Sequence, residues 1–330
     1  MTDDQLRDTI FYHFEKAFSL AGNKRSKDYK DFIPNCTNEY IKLHPSLKDV
    51  LFESSCIRLG YSYDLSNPSI TALLRSDERI IGNASQFLEA TSSIDGRKPS
   101  EWELYILKNL TQRSLKANAD IRAAIDLKRL SIITDYTSDA DWIKLSQKIE
   151  QLADTYSNKS RYSAGLYHLS AKILADHVIN NIHFDREQRI SLSQHTHDLI
   201  RKAMEIWPDG QIAYNCQVLV NSLKKRSISI SFDRTVVAGK PNLGTLSFSN
   251  VDTVFFKAFR FNPYNCYFDS YKLNNTSKKE LFEQFDTLEL AAVWSVATGK
   301  TADRTEHYMW ISLISRSEER RVGKECRSRW

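Results

Sequence analysis

The sequence predicts a multidomain protein with an all-α helical array over residues 1–224, followed by an antiparallel β-sandwich over residues 225–315. Two observations indicate this fold class. Apolar residues recur at helical spacing through the first part, and they alternate with polar residues at period two in the second. The chain has 330 residues, enough for two ordinary domains with a core each.

The first helix is predicted over residues 3–21. One apolar stripe supports it, formed by Leu6, Ile10, Phe14 and Phe18. Gly22 or Asn23 is expected to end this helix, because both residue types tolerate the left-handed backbone conformation.

Residues 23–44 are mostly polar, and Pro34 and Pro45 bound a predicted loop. A second helix is predicted from Ser46 to Gly60. The stretch 61–98 is rich in Ser and Asn and supports no placement of elements.

Helical signals are stronger after residue 99. Ser100 and Glu103 have capping-box spacing, which predicts a helix start. Another helix is expected to begin near Asp120. A later helix is expected to end at the Pro208-Asp209-Gly210 segment, and a final helix is predicted over residues 211–224. The helical faces of this region consist of Leu104, Ile106, Leu107, Ile121, Ile125, Leu127, Trp142, Leu145, Ile149, Leu152, Tyr156, Tyr162, Leu166, Leu169, Ile173, Leu192, Leu199, Ala203 and Ile206.

Consecutive amphipathic helices with short connectors are typical of antiparallel helix pairs, so the array is interpreted as repeat-like. No 34-residue repeat with its usual small and aromatic positions occurs. Packing between neighbouring helices is the ordinary explanation of the apolar stripes, and a peptide-binding groove is the alternative.

Strand patterns begin near residue 225, where polar and apolar residues alternate over 227–232 and again over 245–248. β-Branched and aromatic residues predict three further strands, over 254–261, 288–296 and 308–314. Turns are predicted over 239–242 and 250–252, and a short helix or a connecting loop over 278–285.

The last fifteen residues, 316–330, resemble the in-frame translation of a sequencing adapter. We interpret them as a non-native basic tail, disordered or artefactual, and exclude them from fold reasoning. A natural nucleic-acid-binding tail is the alternative.

The tail carries three of the five net positive charges, which leaves +2 over residues 1–315. That charge is too small to predict a nucleic-acid partner.

No run of apolar residues approaches the roughly 18 that a membrane-spanning helix needs, so no membrane-spanning segment is expected. The chain begins Met1-Thr2-Asp3-Asp4-Gln5, without the basic and apolar regions of a secretory signal. Two interpretations fit: the protein is cytoplasmic, or Met1 is an internal methionine of a longer protein.

The cysteines outside the tail are Cys36, Cys56, Cys216 and Cys266, with Cys326 inside it. They form no C-x-x-C pair and have no zinc-ligand spacing. Buried thiols and one or two disulfides are both compatible with this pattern, and no metal is expected.

Gly299-Lys300-Thr301 matches the end of a phosphate-binding loop, but the glycine that such a loop requires five residues earlier is Trp294. His195 and His197 lie two apart on a predicted helix, so their side chains point about 200° away from each other. Two ordinary histidines are therefore the expected interpretation.

Nothing in the sequence ties Cys216 and His168 into a nucleophile–base pair. Glu101 and Glu103 resemble an acid pair, but carboxylates are also favoured in the first turn of a helix. No G-x-S-x-G, H-E-x-x-H or dinucleotide-binding glycine pattern occurs. The sequence therefore predicts no catalytic, cofactor-binding or metal site, no cofactor, and a protein that is not an enzyme.

The change from helices to strands resembles the front part of bacterial alpha-2-macroglobulin family proteins. In the β part the resemblance rests on segments 229–237, 239–243, 248–252 and 254–256. In the helical part it rests on segments 99–102, 126–130, 152–156 and 167–172. It covers about residues 90–315, and its motifs report architecture with little chemical specificity.

The resemblance implies a first macroglobulin-like domain with an immunoglobulin-like sandwich. In the family a short Leu-Pro…Gly…Tyr stretch closes this sandwich, and here the similarity stops at Ser315. The resemblance therefore implies a truncated sandwich with an unpaired edge and a tendency to aggregate.

Family members capture proteases that cut a bait segment, and many carry a Cys…Glu-Gln thioester. None of the cysteines is followed two positions later by Glu-Gln, so no site residue is carried over. The resemblance implies a non-catalytic, structural fragment of a periplasmic, cell-surface or secreted protease inhibitor. Its partners would be the downstream macroglobulin-like domains and, for the full-length protein, the target proteases.

Two other functions remain open from the sequence. One is a helical-repeat and immunoglobulin-like scaffold or adhesion protein, and the other is an enzyme whose site is assembled from residues outside known motifs.

Overall fold

The computed structural model describes residues 3–33, 36–62, 72–73, 76–96, 101–136, 142–179, 184–232, 242–259, 288–299 and 307–313. The chain divides into two compact units, Met1–Ser222 and Leu223–Trp330. Helices are followed by antiparallel strands, so this level of the predicted fold class is confirmed.

The helices lie close to the predicted positions, and Gly22, with φ of 46°, follows the first one as expected. Their bounds are α1 Asp3–Ala21, α2 Asn38–Leu43, α3 Leu47–Ser62, α4 Ala84–Ala90, α5 Trp102–Ser114, α6 Ala119–Asp135, α7 Trp142–Tyr156, α8 Ser163–Ile173, α9 Arg186–Ile206 and α10 Gln211–Lys224. The described residues also contain two 3-10 helices, Ser26–Phe32 and Glu78–Ile81, and a π-helical turn, Leu174–Val178.

The loop predicted between Pro34 and Pro45 is wrong, because α2 lies in this segment. The 3-10 helix Ser26–Phe32 lies in the polar stretch before it. The Thr37 side chain accepts a hydrogen bond from the backbone N–H of Tyr40 at 3.0 Å and thereby caps α2. A helix of six residues is too short to show an apolar period, which explains why pattern analysis misses it.

The predicted start of α5 also needs correction. The N-cap position is Glu101, which makes no side-chain capping bond, and Ser100 lies outside the described residues. A complete capping box occurs instead at α4, in the stretch that the sequence leaves unassigned. There the backbone N–H of Gln86 donates to Asn83 at 3.1 Å, and the N–H of Asn83 donates to the Gln86 side chain at 3.0 Å.

The core of the helical unit forms where α1, α3, α4 and α5 bring their apolar stripes together. The Phe18 and Phe52 rings contact each other in this core, with centroids 4.2 Å apart and planes tilted by 33°. Beyond this core, each helix from α5 to α8 packs against the next one along the chain. Gly165 permits one close approach, because a Cβ at this position would lie 2.3 Å from Leu127 Cδ2. The fully or almost fully buried residues of the core are Phe18, Phe52, Ile80, Phe87, Trp102, Leu104, Ile106, Leu107, Leu110 and Ile133.

A buried arginine lies against this core. Arg129 on α6 is fully buried and donates to the backbone carbonyls of Ile80 at 2.9 Å and Gly82 at 2.7 Å. Its guanidinium also lies 4.7 Å from the Phe87 ring centroid. These contacts attach the 3-10 helix Glu78–Ile81 and α4 to α6.

The β unit contains two antiparallel sheets among its described residues, one ordered β1-β2-β5 and the other formed by β3 and β4. All five strands overlap the predicted segments. Their bounds are β1 Ser227–Phe232, β2 Asn242–Ser249, β3 Thr253–Phe259, β4 Leu290–Ala297 and β5 His307–Leu313. The predictions for residues 239–241, 278–285 and 316–330 lie outside the described residues.

The two sheets share one hydrophobic cluster. Leu246, Phe248, Val254, Phe256 and Ile311 form it, and Trp294 and Val296 pack at its border. The predicted turn over 250–252 is present, and Asn250 adopts φ of 55° there. The cluster therefore joins the two sheets into one β unit.

Candidate functional site

A cavity of about 220 Å³ lies in the helical unit, beside the start of α3, the end of α5 and the start of α6. One wall is apolar and the other carries hydroxyl, carboxylate, imidazole and guanidinium groups. The lining residues are Leu43, His44, Pro45, Ser46, Asp49, Leu110, Arg113, Ser114, Ala117, Ile121 and Ile125.

The polar wall begins with a capping box at the start of α3. The Ser46 N–H donates to Asp49 Oδ2 and the Asp49 N–H donates to Ser46 Oγ, both at 3.2 Å. The Ser46 hydroxyl also donates to Asp49 Oδ2 at 2.6 Å. The Ser-x-x-Asp spacing thus satisfies backbone donors that would otherwise lack partners in the first turn of the helix.

Arg113, in the last turn of α5, completes this wall. Its Nε lies 2.5 Å from Asp49 Oδ1 and its Nη2 donates to Ser46 Oγ at 2.6 Å. The Arg113 side chain is 39% exposed, whereas that of Asp49 is 12% exposed. The guanidinium therefore lies at the rim of the cavity and ties α3 to α5.

His44 lies next to this network and is almost buried. Its Nε2 lies 2.8 Å from Glu53 Oε2, and its ring centroid lies 4.5 Å from that of Tyr40. Its other ring nitrogen, Nδ1, is buried and has no hydrogen-bond partner among the described residues. A buried polar atom without a partner is a position where a bound polar group would gain a hydrogen bond.

The charges of this cluster shift two pKa values. Burial raises the pKa of Glu53, but the hydrogen bond and charge of His44 and the Tyr40 hydroxyl outweigh burial and hold it below its ordinary value. Burial and the Glu53 carboxylate raise the pKa of Tyr40. Glu53 is therefore the anion of the cluster and Tyr40 its neutral donor.

The structure places His195, one of the two histidines singled out in the sequence, in a surface ion-pair network. His195 Nε2 lies 2.9 Å from Glu150 Oε2, and Lys202 Nζ lies 3.5 Å from the other oxygen of the same carboxylate. His197 is part of the same helix, α9, and is half-buried. Within the described ranges, no group of three or more His, Cys, Asp or Glu side chains is placed to hold a metal ion.

His168 forms a hydrogen bond with the backbone of Asn215, the residue before Cys216. Burial, followed by the charge of Lys172, lowers the pKa of His168. Burial raises the pKa of the Cys216 thiol to about 11. A thiol with a raised pKa stays protonated and is a poor nucleophile.

The remaining candidates occupy structural positions. Glu103 is 6% exposed in the first turn of α5, and Glu101 holds the N-cap position. Gly299 follows β4 with φ of 84°, and Lys300 and Thr301 lie outside the described residues.

Cys36 and Cys216 are free thiols, so these two cysteines do not form a disulfide with each other. The side chains of Cys56, Cys266 and Cys326 lie outside the described part. No helix in the described part of the chain is long and apolar enough to cross a membrane.

The motifs described for the sequence do not include the cavity residues His44, Asp49 and Arg113. The Ser46–Asp49 spacing before an apolar run is a detectable capping-box signal. The pairing with Arg113 has no such signal, because 64 residues separate it from Asp49.

Comparison with known proteins finds no matching family, no similar curated protein and no similar solved structure.

Proposed function

We propose that this chain is a non-catalytic part of a bacterial alpha-2-macroglobulin-like protease inhibitor. The helical unit is a spacer, and the β unit is a first macroglobulin-like domain with an incomplete immunoglobulin-like sandwich. The observation that carries the proposal is the uncovered face of β1. Ile228 and Ile230 are 50% and 39% exposed, although they belong to the face of the sheet that forms the core.

The strand register identifies that face. Ile228 pairs with Phe248 and Ile230 pairs with Leu246. Directly paired residues of antiparallel strands share a face of the sheet. Phe248 is 4% exposed and Leu246 is fully buried, so the second sheet covers β2 but leaves the isoleucines of β1 exposed. A sandwich that needs another strand over β1 accounts for this difference.

The helical unit has features that suit a rigid spacer. Arg129 attaches α4 and the preceding 3-10 helix to α6, and Arg113 attaches α5 to α3. Ser146 and Ser170 form a buried hydroxyl–hydroxyl hydrogen bond of 2.7 Å between α7 and α8. Charged and polar groups that fix one helix to another suit a part that positions other domains.

In this proposal the full-length protein works in the periplasm, at the cell surface or outside the cell. Its partners are further macroglobulin-like domains, which follow this chain, and the proteases that the assembled protein captures. The helical and β units hold the other domains in position, and other segments of the full-length protein carry out the capture of the protease.

The first test is resequencing of the source locus upstream of Met1 and beyond Ser315. The proposal expects a secretory signal upstream and, downstream, closing strands followed by an array of β-domains. A gene that ends near Ser315, or that begins at Met1 without a signal, contradicts it.

The second test uses the full-length product of that locus and a broad-specificity protease. A trapped protease keeps its activity on a small peptide substrate and loses it on a large protein substrate, because only the small substrate enters the closed assembly. Equal activity on both substrates, before and after incubation, contradicts the proposal.

A scaffold or adhesion function is the second candidate, and the outer face of β5 favours it. Tyr308 and Trp310 are 60% and 72% exposed there. Exposed aromatic side chains are enriched in protein interfaces. Loss of a surface partner on Tyr308→Ser and Trp310→Ser substitution, in a protein that fails the entrapment assay, would support this candidate over the inhibitor.

A further inference from the structure

We propose that the cavity between α3, α5 and α6 binds a small aliphatic carboxylate. This inference goes beyond the proposed function and does not depend on it, since it concerns only binding by the helical unit. The cavity of about 220 Å³ suits a molecule of that size. It corresponds to about seven water volumes and hence to a ligand of about seven non-hydrogen atoms.

The guanidinium at the rim selects the charge of the ligand. Arg113 uses Nε and Nη2 for Asp49 and Ser46, and its Nη1 donors have no hydrogen-bond partner among the described residues. The Asp49 carboxylate accepts bonds from Arg113 Nε, the Ser46 hydroxyl and the Ser46 N–H. The polar lining therefore offers N–H donors that have no partner there, whereas its Asp49 carboxylate is already hydrogen-bonded. This arrangement favours a ligand that carries a carboxylate.

His44 adds a second polar contact. It is 6% exposed and lines the cavity, and its Nδ1 lacks a partner within the described ranges. A bound carboxylate can bond to this nitrogen only when the nitrogen carries a proton, because a carboxylate only accepts hydrogen bonds. His44 lies outside the capping box at the start of α3, so it is a polar lining residue independent of that box.

The apolar lining residues select the rest of the ligand. Leu110, Ile121 and Ile125 are among them, and Leu110 is 3% exposed. An apolar wall facing a few fixed polar groups is the usual composition of a small-molecule site. A short branched or straight alkyl chain fits this wall, and a highly hydroxylated molecule does not.

The experiment is calorimetric titration of the full chain with isovalerate, and with isovaleramide as the uncharged molecule of the same shape. We expect isovalerate to bind and isovaleramide to bind at least about tenfold more weakly, because a charged partner strengthens a hydrogen bond to guanidinium. Equal binding of both, or no heat with either, overturns the proposal.

Two variants locate the site. Ala117→Phe fills the cavity from the α5–α6 connection, and it should abolish isovalerate binding while cooperative unfolding is retained. Arg113→Gln should weaken binding at least about tenfold, the cost of losing one charge-assisted contact. Arg201→Gln is the matched control, because Arg201 pairs with Asp198 on α9 and does not line the cavity.

If Arg113→Gln does not fold, Ala117→Phe alone decides the location. Isovalerate binding by folded Ala117→Phe with the wild-type affinity overturns the proposal. So does an equal loss of binding in Arg201→Gln.

Discussion

Arg129 and Asp126 form an ion pair of 3.0 Å inside the helical unit, with side chains 0% and 2% exposed. Tyr156 on α7 donates to the second carboxylate oxygen of Asp126 at 2.8 Å. Burial lowers the pKa of Arg129, whereas the charge of Asp126 opposes that effect. The pair therefore connects α6, α7 and the segment before α4 through one desolvated centre.

Replacing one partner of this pair should destabilise the helical unit strongly. Arg129→Met is expected to cost about 3–5 kcal/mol, because it leaves a buried carboxylate without its counter-ion. Arg129→Met combined with Asp126→Asn should cost less than Arg129→Met alone. Urea denaturation followed by circular dichroism measures both.

Arg201→Met is the control for that measurement. The Arg201–Asp198 pair is exposed, at 69% and 56%, so this substitution should cost less than about 1 kcal/mol. Similar losses for Arg129→Met and Arg201→Met would contradict the role of the buried pair.

The Glu53–His44 contact should make the free energy of unfolding depend on pH in the acidic range. The folded-state pKa of Glu53 is held below its ordinary value of 4.5. Ionised Glu53 therefore contributes stability above that value, and the contribution is lost as pH falls through the folded-state pKa. Glu53→Gln should cost about 1 kcal/mol near neutral pH, and the difference from wild type should shrink as the pH falls below 4.5.

Free energies of unfolding from urea titrations across this pH range test the prediction. Glu89→Gln is the control, because Glu89 is 65% exposed in its pair with Arg79. A wild-type–variant difference for Glu53 that stays constant with pH would show that its charge contributes nothing.

The β unit should respond unequally to substitutions at two directly paired positions. Leu246→Ala is expected to cost about 2–5 kcal/mol, because Leu246 is fully buried. Ile230→Thr should cost less than about 1 kcal/mol, because Ile230 is 39% exposed despite facing the same side. Tryptophan fluorescence during urea unfolding compares them. Comparable losses would mean that a further segment covers β1 in solution.

The exposed isoleucines should also promote association. Ile230→Lys replaces one of the exposed apolar side chains of β1 with a charged one, which reduces the apolar surface through which molecules would associate. Light scattering during heating should rise later for Ile230→Lys than for wild type. The control is Ser229→Lys, which adds the same charge on the opposite face and keeps both isoleucines.

The two described thiols should differ in reactivity. Cys216 is fully buried with a pKa of about 11, whereas Cys36 is half-exposed. Iodoacetamide should label Cys36 in the folded protein and Cys216 only in urea, because the thiolate is the reactive form. Peptide mass spectrometry assigns the labelled position. Early labelling of Cys216 would contradict its burial.

The sequence predicts most helices and all five strands because their apolar residues repeat with a clear period. Ser227–Phe232 is one such strand, and Trp142–Tyr156 is one such helix. It fails at α2 and α4, where six and seven residues give too short a pattern and the side-chain caps of Thr37 and Asn83 decide the structure.

The candidate site is much less predictable. Arg113 and Asp49, like Arg129 and Ile80, lie far apart in the sequence, and only the tertiary fold brings them together. The buried, unpaired Nδ1 atom of His44 cannot be predicted from the sequence pattern either, because its burial depends on Tyr40, Glu53 and the helices around them.

The Asn250 side chain affects the alignment of β1 with β2. The segment Ser227-Ile228-Ser229-Ile230-Ser231 repeats every two residues, so a slip of two positions keeps the same side chains on the same face. The Asn250 amide donates to the carbonyls of Leu223 at 3.0 Å and Lys225 at 2.9 Å, just before the strand. A slipped strand loses these bonds. The Ser249 hydroxyl also donates to the Lys225 carbonyl at 3.3 Å and lies 2.9 Å from Ser227 Oγ. The side chains of Ser249 and Asn250 thus together distinguish the native alignment from a near-equivalent one, and folding without the amide is expected to give a larger share of misaligned strands.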